Sequence, residues 1–179
     1  MLLDLSKQHG RQHFERVFEP STFSPDDPEY RVAAPVELSM DVQKTGKDAY
    51  RVTGTAKTRL ELVCSRCVEP FEVPVDATFE LHYVPQPEPA APGEEEEKEI
   101  DEDDLATSFY VEGSLDVIDM LREQFQLALP MKPLCTGACR GLCPECGANL
   151  NRTTCNCKPV WEDPRLAALK GLLNREKEN

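Results

Sequence analysis

Long apolar runs, positive charge and histidine are all scarce in this chain of 179 residues. No stretch approaches the roughly 18 consecutive apolar residues that a membrane-crossing helix needs, which excludes such a helix. Lys and Arg total 20 against 33 Asp and Glu, a formal net charge of −13. That balance argues against nonspecific affinity for nucleic acid, because phosphate binding draws on clustered cations. The three histidines, His9, His13 and His82, all lie outside the cysteine-rich stretches. Catalytic zinc normally takes His or carboxylate ligands and keeps one position open, so a catalytic metal is not expected. Apolar residues make up 40%, below the usual globular share, alongside 15 prolines, which points to a sizeable stretch that packs nothing. The opening MLLDLSKQHG carries Asp4 and no basic region followed by an apolar run. It does not read as a secretory signal, and the expected location is cytoplasmic.

What is present begins with alternation. Val36, Leu38, Met40 and Val42 face one way, with Glu37, Ser39 and Asp41 between them, the period-two pattern of a half-buried strand. Thr45-Gly46-Lys47-Asp48 makes a turn. Alternation resumes at Tyr50, Val52, Gly54, Ala56, Thr58, Leu60 and Leu62, and again from Phe71 to Tyr83. Short connections favour antiparallel neighbours with one wet face. Phe14, Val17 and Phe18 suggest a further strand nearer the start. Thr107 to Val111 suggests a short one after residue 104. Gly113-Ser114 is expected to start a helix, with Ser114 as its cap, Asp116 near the positive end of the dipole, and Ile118, Leu121, Phe125 and Leu129 as its apolar stripe before Pro130. That stripe should cover the apolar face of the sheet. A closing helix is expected from Asp163-Pro164, with Leu166, Leu169 and Leu173 as its edge.

Between these elements, residues 86–104 carry ten acids against Lys98 alone. Self-repulsion and a lack of apolar groups predict a solvated, disordered loop. An acidic arm that mimics nucleic acid or shields a basic surface is the sharper alternative. The expected division is therefore a β-sheet region over 1–84, the acidic loop over 85–104, a strand and packing helix over 105–130, and a cysteine-rich module with its closing helix over 131–179. The fold class is α+β: an antiparallel meander packed by a helix, followed by a C-terminal zinc module.

All eight cysteines occur in close pairs. In a reducing compartment such clusters are metal ligands more often than disulfides. Cys143-Pro144-Glu145-Cys146-Gly147 has the form of a zinc knuckle, in which two thiolates wrap one ion and glycine suits the turn that follows. Cys155 and Cys157 sit eight residues on, and a slightly bent strand directs both to one side. These four group as one tetrahedral site. Cys64, Cys67, Cys135 and Cys139 remain as a second, with Cys135 and Cys139 spaced for one face of a helical turn. That site would tie the sheet to the C-terminal module. Pairings in which Cys139 replaces a member of the Cys155-Cys157 pair stay open. One zinc ion is thus expected at the first group, and a second where the other four converge. Four complete thiolates per ion leave no open position, so the metal is structural. A deaminase would need a His or Cys with a Glu two residues later, followed by Pro-Cys-x-x-Cys, and this chain has Pro144-Glu145-Cys146 in place of that second element. A redox Cys-x-x-Cys belongs at a helix start, whereas Cys64 and Cys67 fall at a strand turn.

Several elements together resemble one family. Cys64-Ser65-Arg66-Cys67 fits its C-x-R-C, and Leu127 to Pro130 followed by Pro133-Leu134-Cys135 fits its L-x-L-P and P-L-C. Cys139 to Gly147, Asn149-Leu150-Asn151, Cys155-x-Cys157 and Asp163-Pro164-Arg165 complete the pattern. The chain resembles the bacterial YceD family, the large ribosomal RNA subunit accumulation proteins, over about residues 60–173. The resemblance implies a part in processing, accumulation or stability of 23S ribosomal RNA, and no enzymatic activity is established for the family. Its partners would be ribosomal RNA or a large-subunit assembly intermediate, with neither a membrane nor a small-molecule substrate involved. The alternative is an adaptor that engages a basic ribosomal protein. A metal-dependent nuclease would need carboxylates converging on an ion, and the acidic run is too mobile to supply that geometry.

Charge is unevenly placed. Residues 130–179 hold eight bases against five acids, +3, which leaves −16 on residues 1–129. On this modest basic pole Arg140, Arg152 and Lys158 are the expected contacts to RNA phosphates or to an acidic face of a partner. A solvated mixed-charge surface is the plain alternative. Trp161 is expected to anchor the core near the metal rather than to stack on a base.

Overall fold

The computed structural model describes residues 1–7, 10–23, 29–86 and 107–157. His9, the acidic segment from 87 on, Lys158, Trp161 and the expected closing helix lie outside the described residues. The chain divides into two compact units, Met1–Cys64 with Glu69–Cys135, and Ser65–Val68 with Thr136–Asn179.

Among its described residues the first unit is mostly sheet with a single α-helix, an α+β arrangement. Strands β1 (Leu2–Asp4), β2 (Arg11–Phe18), β3 (Arg31–Val32), β4 (Val36–Lys44), β5 (Tyr50–Val63), β6 (Pro70–Pro85), β7 (Thr107–Tyr110) and β8 (Ser114–Asp116) precede helix α1 (Val117–Ala128). The main sheet runs β2-β4-β5-β6-β7, with β3 pairing β5 off that path, while β1 and β8 form a separate two-stranded sheet. Alternation explains the central strands. Val36, Leu38, Met40 and Val42 of β4 are buried, as are Tyr50, Val52, Ala56, Leu60 and Leu62 of β5, because successive residues of a strand face opposite sides.

Two details depart from the expected meander. Strand β7 pairs parallel to β6, His82 opposite Thr107 through Pro85 opposite Tyr110, because its chain re-enters beyond residues 87–106 and is not constrained by a hairpin. The expected helix start is also displaced. Ser114 to Asp116 form strand β8 against β1, and the cap of α1 is Asp116, whose carboxylate accepts from the Ile118 amide at 2.9 Å. Ser114 is followed by Leu115 and Asp116, which stay extended against β1, so the helix begins only where that pairing ends and Asp116, the last residue of the strand, becomes its cap. Ile118, Leu121 and Phe125 are buried. The Phe125 ring meets Phe23 at 5.7 Å and Tyr30 edge-on at 6.2 Å, which fixes the apolar stripe in the core.

Candidate metal centres

In the second unit a short hairpin carries Cys143 and Cys146. Leu142 and Asn149 form an antiparallel bridge. The Cys143 amide donates to Ala148 O at 2.8 Å, and the Gly147 amide to Cys143 O at 2.9 Å. Gly147 takes φ +71°, a left-handed conformation that glycine adopts without steric penalty. The Cys64–Cys67 turn repeats this geometry. Its Cys64 amide donates to Glu69 O at 3.0 Å, and Val68, in the position matching Gly147, takes φ +58°.

The sulfurs of Cys143, Cys146, Cys155 and Cys157 all lie within 4.8 Å of one another, and so do those of Cys64, Cys67, Cys135 and Cys139. Around one zinc, with Zn–S near 2.3 Å, tetrahedral sulfurs stand ~3.8 Å apart, so both groups need only a small contraction to close on an ion. Among the described residues these two tetrads are the clusters able to hold a metal. They differ in exposure. Cys64, Cys67 and Cys139 are buried, whereas Cys146 and Cys157 are exposed. Cys135 and Cys139 do not share a helical turn as the spacing suggests. They flank a tight turn closed by the Cys139 amide on Thr136 O at 3.1 Å, because Pro130 and Pro133 precede it and Gly137 lies within it.

Arg66 organises the second unit. Its Nη1 donates to Cys139 O at 2.8 Å, and its own carbonyl accepts from the Leu142 amide at 3.0 Å. Gly141 allows that approach, since a Cβ there would stand 3.0 Å from Arg66 O, and its φ is +74°. Asn151 adds a second clamp. Its Oδ1 accepts from the Arg140 amide at 2.8 Å, and its Nδ2 donates to Cys139 Sγ at 3.3 Å. Sequence reasoning placed Arg66 and Asn151 in motifs without assigning them work. The only signal for either was its place beside the cysteines.

Electrostatics within the Cys143–Cys146–Cys155–Cys157 tetrad are asymmetric. Backbone amides of Cys146 and Glu145 aim at Cys143, which holds its thiol low, at about 7. The Cys157 amide favours ionised Cys155, yet hydrogen bonding to Cys143 and desolvation outweigh it and the net shift is upward. Cys157 is pushed up to about 12, first by its hydrogen bond with Cys146, then by desolvation and the neighbouring thiolates. Four adjacent thiols cannot all ionise without a cation to offset their charge.

The remaining expected site residues are scattered. Arg140 and Arg152 are exposed in the second unit, and Lys158 lies outside the described residues. His13 bonds Asp41 and Glu15 on the sheet surface, and His82 faces Glu80; neither belongs to a tetrad. No helix among the described residues is long and apolar enough to cross a membrane.

Comparison with known proteins places these features in a family. A maize protein named large ribosomal RNA subunit accumulation protein YCED homolog 1, chloroplastic, is 30% identical over 145 residues, 70% of this chain and 49% of its own length. The Arabidopsis thaliana protein of the same name is 29% identical over 165 residues, 82% of this chain and 51% of its own. An uncharacterized protein of Mycobacterium leprae is 28% identical over 117 residues, 65% of this chain and 50% of its own. The chain thus spans about half the length of these relatives. No solved structure matches. The family model of the large ribosomal RNA subunit accumulation protein YceD matches residues 52–173, a span containing all eight cysteines together with Arg66 and Asn151, and the chain belongs to that family.

Proposed function

We propose that this protein is a non-enzymatic factor in 23S ribosomal RNA processing, accumulation or stability during large-subunit assembly, acting in the cytoplasm and built around structural zinc. The observation that carries this reading is the pair of all-thiolate tetrads in a member of a family named for large-subunit ribosomal RNA accumulation. Soft thiolate donors suit zinc, and four of them fill its tetrahedral shell. Cys143, Cys146, Cys155 and Cys157 would hold one ion, and Cys64, Cys67, Cys135 and Cys139 a second. The metal would supply cross-linking rather than reaction chemistry, fixing a segment otherwise short of apolar contacts. Arg140, Arg152 and Lys158 are the proposed contacts to RNA phosphates.

The test joins composition to association. Elemental analysis of the purified protein should find two zinc ions per chain, and crosslinking in cells should recover 23S ribosomal RNA. Charge reversal at Arg140, Arg152 and Lys158 should weaken RNA association and flatten its salt dependence by roughly one logarithmic unit per lost phosphate contact. Association that ignores all three reversals would remove these contacts. Metal-free protein with an intact fold would remove the structural role of zinc.

A further inference from the structure

A groove of the first unit includes none of the cysteines and plays no part in the reading above. It encloses about 680 Å3 between β7, β8 and α1, with Tyr83 of β6 among its lining residues. Its apolar lining includes Leu2, Phe109, Val111 and Met120. Three of these are unusually exposed for their size, Leu2 at 70%, Phe109 at 57% and Val111 at 56%. Adjacent large apolar side chains left open to solvent mark contact sites more often than chance surface.

The rim is acidic. Among the described lining residues Glu112, Asp116, Asp119 and Glu123 are acidic and none has a basic side chain. The N-terminal ammonium pairs with Asp116 at 3.2 Å and Arg122 with Asp119 at 2.8 Å, so the rim's charge rests on Glu112 and Glu123. Glu123 also faces the buried Tyr83 hydroxyl closely enough to help push it up to about 12, behind burial itself. Glu112 sits where the chain would more easily place another residue. Val111 to Ser114 form a tight turn closed by the Ser114 amide on Val111 O at 3.0 Å. Both central residues are left-handed, Glu112 at φ +52° and Gly113 at φ +69°. Asn, Asp or Gly normally takes the first of these positions, and glutamate there is strained. Strain of this kind is retained where the side chain has work to do.

A second observation comes from the sequence alone. Ten acids fall within residues 86–104, which end two residues short of β7, whose Ser108 and Phe109 line the groove. A polyanionic stretch so near in the chain raises the local concentration of cations and speeds their encounter. Apolar lining, acidic rim and acidic stretch together specify one occupant. We infer that this groove docks a Lys/Arg-rich peptide segment of another protein through one or two large apolar side chains, the basic residues meeting Glu112 and Glu123. The chain's own acidic segment fits poorly, because its charge repeats that of the rim. This inference stands apart from the metal and RNA reading, and either can fail alone.

The test uses the full zinc-loaded chain and two fluorescein-labelled peptides of equal positive charge, one with two leucines and one with serines in their place. The leucine peptide should bind at least tenfold more tightly, since the anchors and not charge alone are recognised. Phe109→Ser and Glu123→Lys should each weaken it about tenfold or more. Glu112→Gly relaxes the turn, so it should unfold at a higher denaturant concentration and still bind the peptide more weakly. Deleting residues 88–104 should weaken binding at low salt and change it little at high salt. Equal binding of the two peptides, or indifference to Phe109→Ser and Glu123→Lys, would overturn the proposal. A tenfold gain on deletion would also overturn it, by showing that the segment itself fills the groove, as would a dimer that Phe109→Ser dissolves. Crosslinking of the same variants to RNA, expected to be unchanged, separates this failure from failure of the RNA reading.

Discussion

Asn151 Nδ2 donates to Cys139 Sγ across 3.3 Å, and this bond links the two thiol groups. Asn151 lies in the loop between Cys146 and Cys155, whose sulfurs belong to one tetrad, whereas Cys139 belongs to the other. Its Oδ1 takes the Arg140 amide at 2.8 Å, and its own amide is held by Asn149 Oδ1 at 3.0 Å. The side chain is thereby locked from both ends. An amide N–H on a ligating sulfur fixes its orientation, which prepares Cys139 for a metal.

Asn151→Ala should therefore lower zinc affinity at the Cys64–Cys67–Cys135–Cys139 group by about 10- to 100-fold, the usual effect of losing such a supporting bond. Competition against a chromophoric chelator measures it. Cobalt substitution adds a second readout, since losing a hydrogen bond to sulfur shifts the thiolate-to-metal charge-transfer band. Asn151→Asp keeps the shape and the acceptor while placing a carboxylate against the sulfur, and it should be at least as damaging. Wild-type affinity and spectrum in both variants would mean the bond has no bearing on the metal.

The two Cys-x-x-Cys turns offer a reciprocal test. Val68 and Gly147 occupy matching positions at φ +58° and φ +71°. A left-handed backbone costs an L-residue ~1–2 kcal/mol, partly offset by the extra chain entropy glycine loses on folding, ~0.5–1 kcal/mol. Val68→Gly should accordingly stabilise the metal-loaded protein by about 0.5–1 kcal/mol. Gly147→Val should destabilise by about 1 kcal/mol or more through backbone strain alone, since nothing lies within 4 Å of the added Cβ. Denaturant midpoints at saturating zinc report both. Opposite signs are required, and two changes of the same sign would refute the equivalence of the turns.

How far the sequence carried these features depends on the range of the forces involved. Alternation over β4, β5 and β6 is local and strong, and their buried faces were legible residue by residue. Close cysteine pairs are equally local, so the Cys143–Cys146–Cys155–Cys157 group followed from spacing, whereas the Cys64–Cys67–Cys135–Cys139 group was reached by elimination, its two halves lying about 70 residues apart in the chain. Ser114 failed as a helix cap because its backbone is claimed by β1, over 100 residues away in the chain. Parallel pairing of β7 likewise depends on a long-range return that no turn signal encodes. Arg66 acts through a backbone carbonyl 73 residues distant, a partner that carries no residue-type signature. What sequence patterns miss is chiefly backbone recognition at long separation.

Gly54 shows a related limit, since alternation places it on the buried face without saying why it must be glycine. It pairs with Met40 on one side and Phe79 on the other. A Cβ there would stand 2.5 Å from Ser39 O and 2.7 Å from Met40 Cβ. Both neighbours are fixed by the sheet, so neither can retreat cheaply. Gly54→Ala should destabilise by about 2 kcal/mol through overpacking, despite the better strand entropy of alanine. Thermal or denaturant unfolding measures it, and a neutral or stabilising result would mean that β4 and β5 do not approach as described.

Proton competition supplies the last prediction. In the metal-free Cys143–Cys146–Cys155–Cys157 group, backbone amides bring Cys143 near neutrality, at about 7, while Cys155 is shifted upward and Cys157 is pushed up to about 12. A metal ion binds thiolates, so its entry near pH 7 must expel the protons that the raised thiols still hold. The sign follows: apparent affinity rises with pH and falls as acid returns those protons to the same sulfurs. With two to three protons displaced per ion, each unit of pH lost between about 8 and 6 should weaken zinc binding roughly 100- to 1000-fold. Chelator competition across that range gives the slope, and proton release in weakly buffered solution counts the protons directly. Cys157→Ser removes one sulfur and one proton, so it should lower the affinity and flatten the slope together. A flat profile in the unaltered protein would mean that these four sulfurs are not what holds the metal.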